Sequence, residues 1–121
     1  MPTAEHNGIT QHYEVSGDGP PLLLVAGMMS DSASWAPLVP LLEPHFTVIR
    51  PDNRTTGRPL PWDASASVGH FADDCAALLA HLGLGPAHVL GHSLGGMISL
   101  RLACAHPLAV RTLTLAAAAP L

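Results

Sequence analysis

The sequence predicts an α/β fold with a doubly wound, mostly parallel sheet and an antiparallel hairpin at its amino-terminal end. Short apolar runs alternate along the chain with segments whose apolar residues recur at three- and four-residue spacing, which is typical of βαβ units. The 121 residues are enough for one core, and 48% hydrophobic residues with only 12% charged residues exclude a disordered chain. The crossovers in such a sheet are right-handed, and ligands bind at the carboxyl ends of its parallel strands.

The first elements are a predicted hairpin and a buried strand. Asn7 and Gly8 form a strong two-residue turn signal, and apolar and polar residues alternate over 9–15. A cluster of glycine and proline follows at residues 16–21, and it leads into Leu22–Ala26. This run is apolar on both faces, as a central parallel strand requires.

The next segment is predicted to contain a helix, a strand and a long loop. The candidate caps of the helix are Asp31, Ser32 and Ser34. The helix runs past Trp35 to Leu42 and is ended by Pro44, and Phe46–Ile49 is the following strand. The proline-rich stretch Pro51–Asp63 cannot form a regular element.

A second helix is predicted from residue 65 or 67 to Leu82, because its apolar positions keep helical spacing until glycines close it. We expect Asp73 and Asp74 in its first turns, where the helix dipole favours negative charge. Arg111–Ala116 is predicted to be the last apolar strand.

The most informative motif is Gly91–Gly96, which reads GHSLGG. It follows the predicted strand Ala87–Leu90 and precedes the predicted helix Met97–Ala105. Strand, G-x-S-x-G and helix in this order are typical of a nucleophile elbow, a turn so sharp that the serine is strained and exposed. Ser93 is therefore the candidate nucleophile. The residues that flank this turn must lack side chains. Gly91, Gly95 and Gly96 are therefore the predicted elbow glycines.

Charge and cysteine usage exclude several functional classes. The five cationic residues are scattered arginines and the net charge is −4, so nucleic acid is not an expected partner. Neither a signal-like nor a membrane-spanning apolar run appears, and we expect a soluble, cytoplasmic protein. Cys75 and Cys104 have no metal-type spacing and are expected to be small buried residues. His88 and His92 would be about 13 Å apart on a strand, so no metal site is expected.

The chain resembles the α/β-hydrolase fold family, and within it the small-molecule serine hydrolases: esterases, enol-lactone hydrolases and cofactor-free haloperoxidase-like enzymes. The elbow is specific to the fold, whereas the combination of motifs recurs across many substrates. Four segments carry the resemblance: the hairpin at Tyr13–Gly17, the strand and turn at Leu22–Met28 followed by Trp35, the loop Asp52–Gly57, and the elbow Gly91–Gly96.

The resemblance implies a reaction and a set of site residues. Ser93 matches the nucleophile, and the backbone N–H groups of Leu94 and Met28 match the two donors of an oxyanion hole. The implied substrate is a small ester-type molecule, and neither a cofactor nor a metal is implied. The candidate residues that line the cleft are Gly27, Met29 and His92.

Two members of the catalytic triad are missing from the pattern. The family order is serine, then acid, then histidine, yet residues 94–121 contain no Asp or Glu. His106 follows Ser93 at the far end of a helix, on the order of 18 Å away, and cannot be the base. Residues 1–121 thus resemble the amino-terminal part of a single α/β-hydrolase domain, with six strands present and the lid and last two strands absent. We expect a complementing carboxyl-terminal chain or self-association through the last strand.

These observations leave two functional hypotheses. The first is a hydrolase that cleaves an ester, thioester or lactone through Ser93, with the isolated chain inactive for lack of a complete triad. The alternative is a non-catalytic truncated relic or a small-molecule binding module of the same fold. Acyl transfer would use the same serine and stays open, whereas relatives that act as epoxide hydrolases or dehalogenases carry Asp at the position of Ser93.

Overall fold

The computed structural model describes residues 2–6, 8–26, 35–51 and 64–116, with the side chains of residues 64–67 excepted. The described residues form a six-stranded sheet with helices on both faces. The elements in chain order are β1 (Thr3–His6), β2 (Ile9–Gly17), β3 (Pro21–Val25), α1 (Val39–Leu42), β4 (Thr47–Pro51), α2 (Ala64–Leu82), β5 (Ala87–His92), α3 (Leu94–Ala105), a 3-10 turn (Pro107–Ala109) and β6 (Val110–Ala116).

The predicted fold class is confirmed by the order and direction of the strands. The sheet order is β1-β2-β4-β3-β5-β6. β1 and β2 form the predicted antiparallel hairpin, with His6 opposite Ile9 and Gly8 at a φ of 76° in the turn. β2 is also antiparallel to β4, whereas β4, β3, β5 and β6 are parallel to one another. The carboxyl ends of the four parallel strands therefore lie at the same edge of the sheet.

The central strand β3 packs on both faces of the sheet. Leu23 and Val25 point toward α2 and α3, and Leu22 and Leu24 point toward α1. The exposed fractions of these four side chains lie between 0% and 7%. Burying each such side chain contributes about 1.5–3 kcal/mol, which explains why the strand is apolar throughout.

Within the described part of the helix predicted past Trp35 to Leu42, the α-helix is limited to the single turn α1, and the candidate caps Asp31, Ser32 and Ser34 lie outside the described residues. Proline lacks the N–H that a helix interior requires, and Pro37, Pro40 and Pro44 punctuate this segment. The chain turns tightly at Trp35, whose carbonyl accepts from the Leu38 N–H at 2.9 Å.

Helices α2 and α3 pack on one face of the sheet and on each other. The expectation that Asp73 and Asp74 occupy the first turn of α2 is wrong, because the helix begins at Ala64 and both residues lie in its middle. Asp74 is buried, whereas Asp73 is exposed. Neither helix, nor α1, is long and apolar enough to cross a membrane.

Only one of the two cysteines fits the expectation of burial. Cys75 is fully buried between α2 and the sheet, whereas Cys104 is exposed. Cys104 lies one helical turn after Leu100, which is 49% exposed, so this stripe of α3 faces away from the core.

Candidate active site

Ser93 lies at a sharp turn between β5 and α3, at the edge where the parallel strands end. Its φ of 58° and ψ of −127° are those of the first central residue of a type II′ turn, a position that glycine normally occupies. Among the described residues it is the one non-glycine with a positive φ. Holding a serine in this conformation costs about 1–3 kcal/mol, which the surrounding packing must offset. The side chain is exposed and does not cap the helix that it precedes.

The elbow glycines are buried at points where the backbone of neighbouring elements comes too close for a side chain. A Cβ on Gly91 would lie 2.5 Å from the Gly95 carbonyl oxygen and 2.8 Å from the Cα of Gly96. A Cβ on Gly95 would lie 2.6 Å from the carbonyl carbon of Val25, at the end of β3. All three distances are below the 3.0 Å that real Cβ atoms respect, so the turn requires glycine at these two positions.

The backbone N–H groups at the turn differ in their hydrogen-bond partners. Leu94 is the first residue of α3, so its N–H has no acceptor within the helix, and the helix dipole adds partial positive charge there. The Gly96 N–H folds back to the Ser93 carbonyl at 2.9 Å, and the Ser93 N–H donates to the Ala116 carbonyl of β6 at 3.3 Å. The backbone of Ser93 is therefore tied both to its own helix and to the neighbouring strand.

The second predicted donor, Met28, lies outside the described residues, as do the predicted cleft residues Gly27 and Met29 and the loop Asp52–Gly57. β3 pairs with β5 so that Val25 is opposite Gly91. The chain therefore leaves β3 at the same edge of the sheet at which the elbow lies.

His92 precedes Ser93 and is exposed beside it. Its imidazole contacts Trp35 edge to face, with 6.2 Å between ring centroids and 79° between ring planes. Trp35 is in turn packed against the hydrophobic cluster beneath α1. His92 thus contacts an aromatic ring next to Ser93, and its role as a residue lining the cleft stays a prediction.

The remaining histidine of interest lies at the other end of α3. His106 Nε2 is 2.8 Å from Asp73 Oδ1, and this pair joins α3 to the middle of α2. Within the described residues, no histidine or carboxylate hydrogen-bonds to Ser93, and no group of three or more His, Cys, Asp or Glu side chains is arranged to hold a metal ion. The described residues bring together the candidate nucleophile Ser93 and one candidate oxyanion donor, the Leu94 N–H, and place no histidine or carboxylate in hydrogen-bond contact with Ser93.

Comparisons with known proteins agree on one family. Residues 20–121 match the family model described as the alpha/beta hydrolase fold. RutD of Azorhizobium caulinodans, named as a carbamate hydrolase, is 38% identical over 115 residues, which are 95% of this chain and 43% of the relative. An alpha/beta hydrolase structure from Sphaerobacter thermophilus is 35% identical with a TM-score of 0.77, covering 94% of this chain and 44% of that one.

A further similar structure contains a bound ligand. N-acyl homoserine lactonase AidH, complexed with N-butanoyl homoserine, is 30% identical with a TM-score of 0.85, and the match covers 98% of this chain and 45% of that one. The chain therefore spans less than half the length of these relatives.

Proposed function

The chain belongs to the alpha/beta hydrolase fold family, and on this premise we propose that it carries the nucleophile of a serine hydrolase, Ser93, which attacks an ester, thioester or lactone carbonyl. The observation that carries the proposal is the backbone of Ser93, since a non-glycine residue at a φ of 58° between two obligatory glycines is a costly arrangement. Such strain persists where exposing the side chain serves a reaction.

The proposed mechanism needs a base and an oxyanion hole. The Ser93 hydroxyl is a weak nucleophile until a base removes its proton. As its oxygen bonds to the carbonyl carbon, the carbonyl oxygen becomes an oxyanion, which the N–H groups of Leu94 and Met28 stabilise. Loss of one such donor typically lowers turnover by about 10² to 10³.

The substrate class rests on the relatives. The lactone in the name of AidH and the carbamate in the name of RutD both contain a carbonyl carbon bonded to a heteroatom. The same attack by a serine opens either bond, which supports a small carbonyl substrate for this chain. Hydrolysis and acyl transfer share the step at Ser93 and differ in the acceptor.

We propose that the acid and the histidine come from polypeptide other than residues 1–121. His106 is held at the far end of α3, and residues 94–121 contain no carboxylate side chain. The relatives are more than twice as long as the part that this chain matches. The unpaired Cys75 and Cys104 suit a reducing compartment, and we propose the cytoplasm.

Ser93 labelling by a fluorophosphonate, followed by peptide mass spectrometry, tests the proposal. We expect little labelling of the 121-residue chain, because no base activates the hydroxyl. A chimera in which these residues replace the matching 43% of the Azorhizobium relative should become labelled at Ser93. The Ser93→Ala chimera is the control and should not react.

The two hypotheses give opposite results in this assay. A folded chimera that is not labelled would support the non-catalytic binding module. Rapid stoichiometric labelling of the 121-residue chain would show that a base is already present within it, contrary to the proposed origin of the triad.

A further inference from the structure

We propose that Ser99 is a positioning residue for the nucleophile elbow, an inference that rests on the proposed role of Ser93. Ser99 lies on α3, six residues after Ser93, and none of its surface is exposed to solvent. Its hydroxyl donates a hydrogen bond to the Gly95 carbonyl oxygen at 2.7 Å. The sequence pattern alone does not distinguish this residue, because a serine in an apolar helical segment resembles any small residue that permits close packing.

The acceptor of this bond is part of the elbow itself. A Cβ on Gly91 would point at the Gly95 carbonyl oxygen and at the Oγ of Ser99. The Cα–H of Gly91 therefore faces both oxygens, an arrangement in which weak Cα–H···O contacts form. Ser99 thus connects the carboxyl end of β5, through Gly91, to the first turn of α3, through Gly95.

The same turn also packs against β3. The Cα of Gly95 lies against the carbonyl groups of Val25 and Ala26. The first turn of α3 thus packs closely against both β3, through Gly95, and β5, through Gly91, while Ser99 ties its Gly95 carbonyl to the next turn of the helix. This is the kind of packing that a strained residue such as Ser93 needs to keep its conformation.

Helical serines often bond to the carbonyl four residues earlier, and there the bond competes with the helix and slightly destabilises it. A fully buried hydroxyl at the contact between β5 and α3 has a different consequence. Its loss leaves the helix intact but removes one of the oxygens that hold Gly91 and Gly95 in register. The Ser93 hydroxyl and the Leu94 N–H, which must be aligned in the transition state, then lose their fixed separation.

Three variants separate positioning from general stability. Ser99→Ala removes the hydroxyl, and Ser99→Thr keeps a hydroxyl that can reach the same carbonyl. Cys75→Ala is the matched control, because Cys75 is equally buried in the same core but lies on α2. Each variant is made in the 121-residue chain, for amide hydrogen exchange. Each is also made in the unmodified chimera with the Azorhizobium relative, for kinetics with an ester substrate and for thermal unfolding.

We expect Ser99→Ala to speed amide exchange at residues 93–96 selectively and to lower kcat by roughly tenfold with little change in KM, since misalignment acts in the transition state. Ser99→Thr should recover most of kcat. Cys75→Ala should lower the unfolding temperature without changing exchange at the elbow or kcat. An unlabelled parent chimera would overturn the proposed function, and the catalytic part of this inference with it.

Other outcomes bear on Ser99 alone. If the parent is labelled and Ser99→Ala matches it in kcat and in elbow exchange, the inference is wrong while the proposed function stands. If Ser99→Ala and Cys75→Ala lower kcat equally, the effect is one of stability and the positioning role is refuted. If Ser99→Thr loses as much activity as Ser99→Ala, the space at this position matters and not the hydroxyl, which also refutes it.

Discussion

At the scale of single residues, burial decides the chemistry of the two cysteines. Burial, and to a smaller extent the charge of Asp74, raises the pKa of the Cys75 thiol from its ordinary value of 9.0 to about 12. Well below pH 9.0 the thiol is neutral in both the folded and the unfolded chain. As the pH rises from 9.0 toward 12, the unfolded chain ionises first, so this group lowers the free energy of unfolding in that window.

We therefore predict that a thiol reagent at pH 8 modifies Cys104 in the native chain and leaves Cys75 unmodified, because the thiolate is the reacting species. Both cysteines should react in denaturant. Peptide mass spectrometry gives the occupancy of each site, and Cys104→Ala, which should abolish native labelling, is the control. Equal modification of both sites under native conditions would contradict the burial of Cys75.

The same pair of residues shows what the sequence can predict about side chains. Both cysteines lie in helices, as predicted, but the local pattern does not tell which side of α3 faces a neighbour. Ser93 was identifiable because its motif has a strict sequence requirement. Ser99 was not, because its role depends on Gly91 and Gly95 meeting it in space.

At the scale of elements, the β5-elbow-α3 unit depends on glycine at two positions. We predict that Gly91→Val and Gly95→Val each lower the free energy of unfolding by about 1–3 kcal/mol, since any Cβ there meets backbone atoms. Gly69→Ala is the matched control: it lies within α2, and its Cβ would meet the Arg101 side chain at 3.7 Å, an ordinary contact. It should stabilise the chain by about 0.5–1 kcal/mol.

Denaturant unfolding of the three variants gives these free energies. If the valine variants were as stable as the parent, the close backbone contacts of the elbow would be wrong. If Gly69→Ala were destabilised as strongly, the effect would be a general intolerance of the helices to substitution.

The contact between α2 and α3 includes the exposed pair of Asp73 and His106, which we predict to have no part in the reaction. Surface ion pairs contribute about 0–1 kcal/mol, so His106→Gln should change the unfolding free energy by no more than that. Labelling of Ser93 in the chimera should proceed at the parent rate. A loss of labelling with retained stability would identify His106 as the base after all.

The residues at which the helices begin and end were the least predictable feature of the fold. The helix predicted past Trp35 to Leu42 is limited to Val39–Leu42 within the described residues, because prolines inside the segment remove donors. α3 begins at Leu94, three residues before the predicted start, because Gly95 and Gly96 are helical despite their low propensity. Their tight packing against β3 and β5 overrides that propensity.

At the scale of the whole molecule, the sequence predicted the class of the fold and the identity of its strands, but periodicity alone cannot order them. The order β1-β2-β4-β3-β5-β6 places β3 at the centre although it precedes β4 in the chain. That crossover brings Val25 beside Gly91, and with it the end of β3 beside Ser93. The position of the end of β3 relative to Ser93 therefore depends on a long-range pairing that the sequence pattern did not predict.

The outer strand of this sheet has an open edge within the described residues. β6 pairs with β5 on one side only, and Leu115 on it is 46% exposed. An unpaired edge presents a row of backbone donors and acceptors to which another strand can add, and a charged side chain on such an edge discourages the addition. We predict that the 121-residue chain, studied alone, self-associates through β6.

Sedimentation velocity over a range of concentrations measures this association. Leu115→Lys should shift the chain toward monomer, because pairing would bury the new charge. Leu108→Lys is the matched control: Leu108 is 91% exposed, but it lies in the 3-10 turn before β6 and not on the edge. An equal shift with both variants would assign the association to general surface hydrophobicity. A parent chain that is monomeric at all concentrations would show that the edge of β6 is protected without a partner.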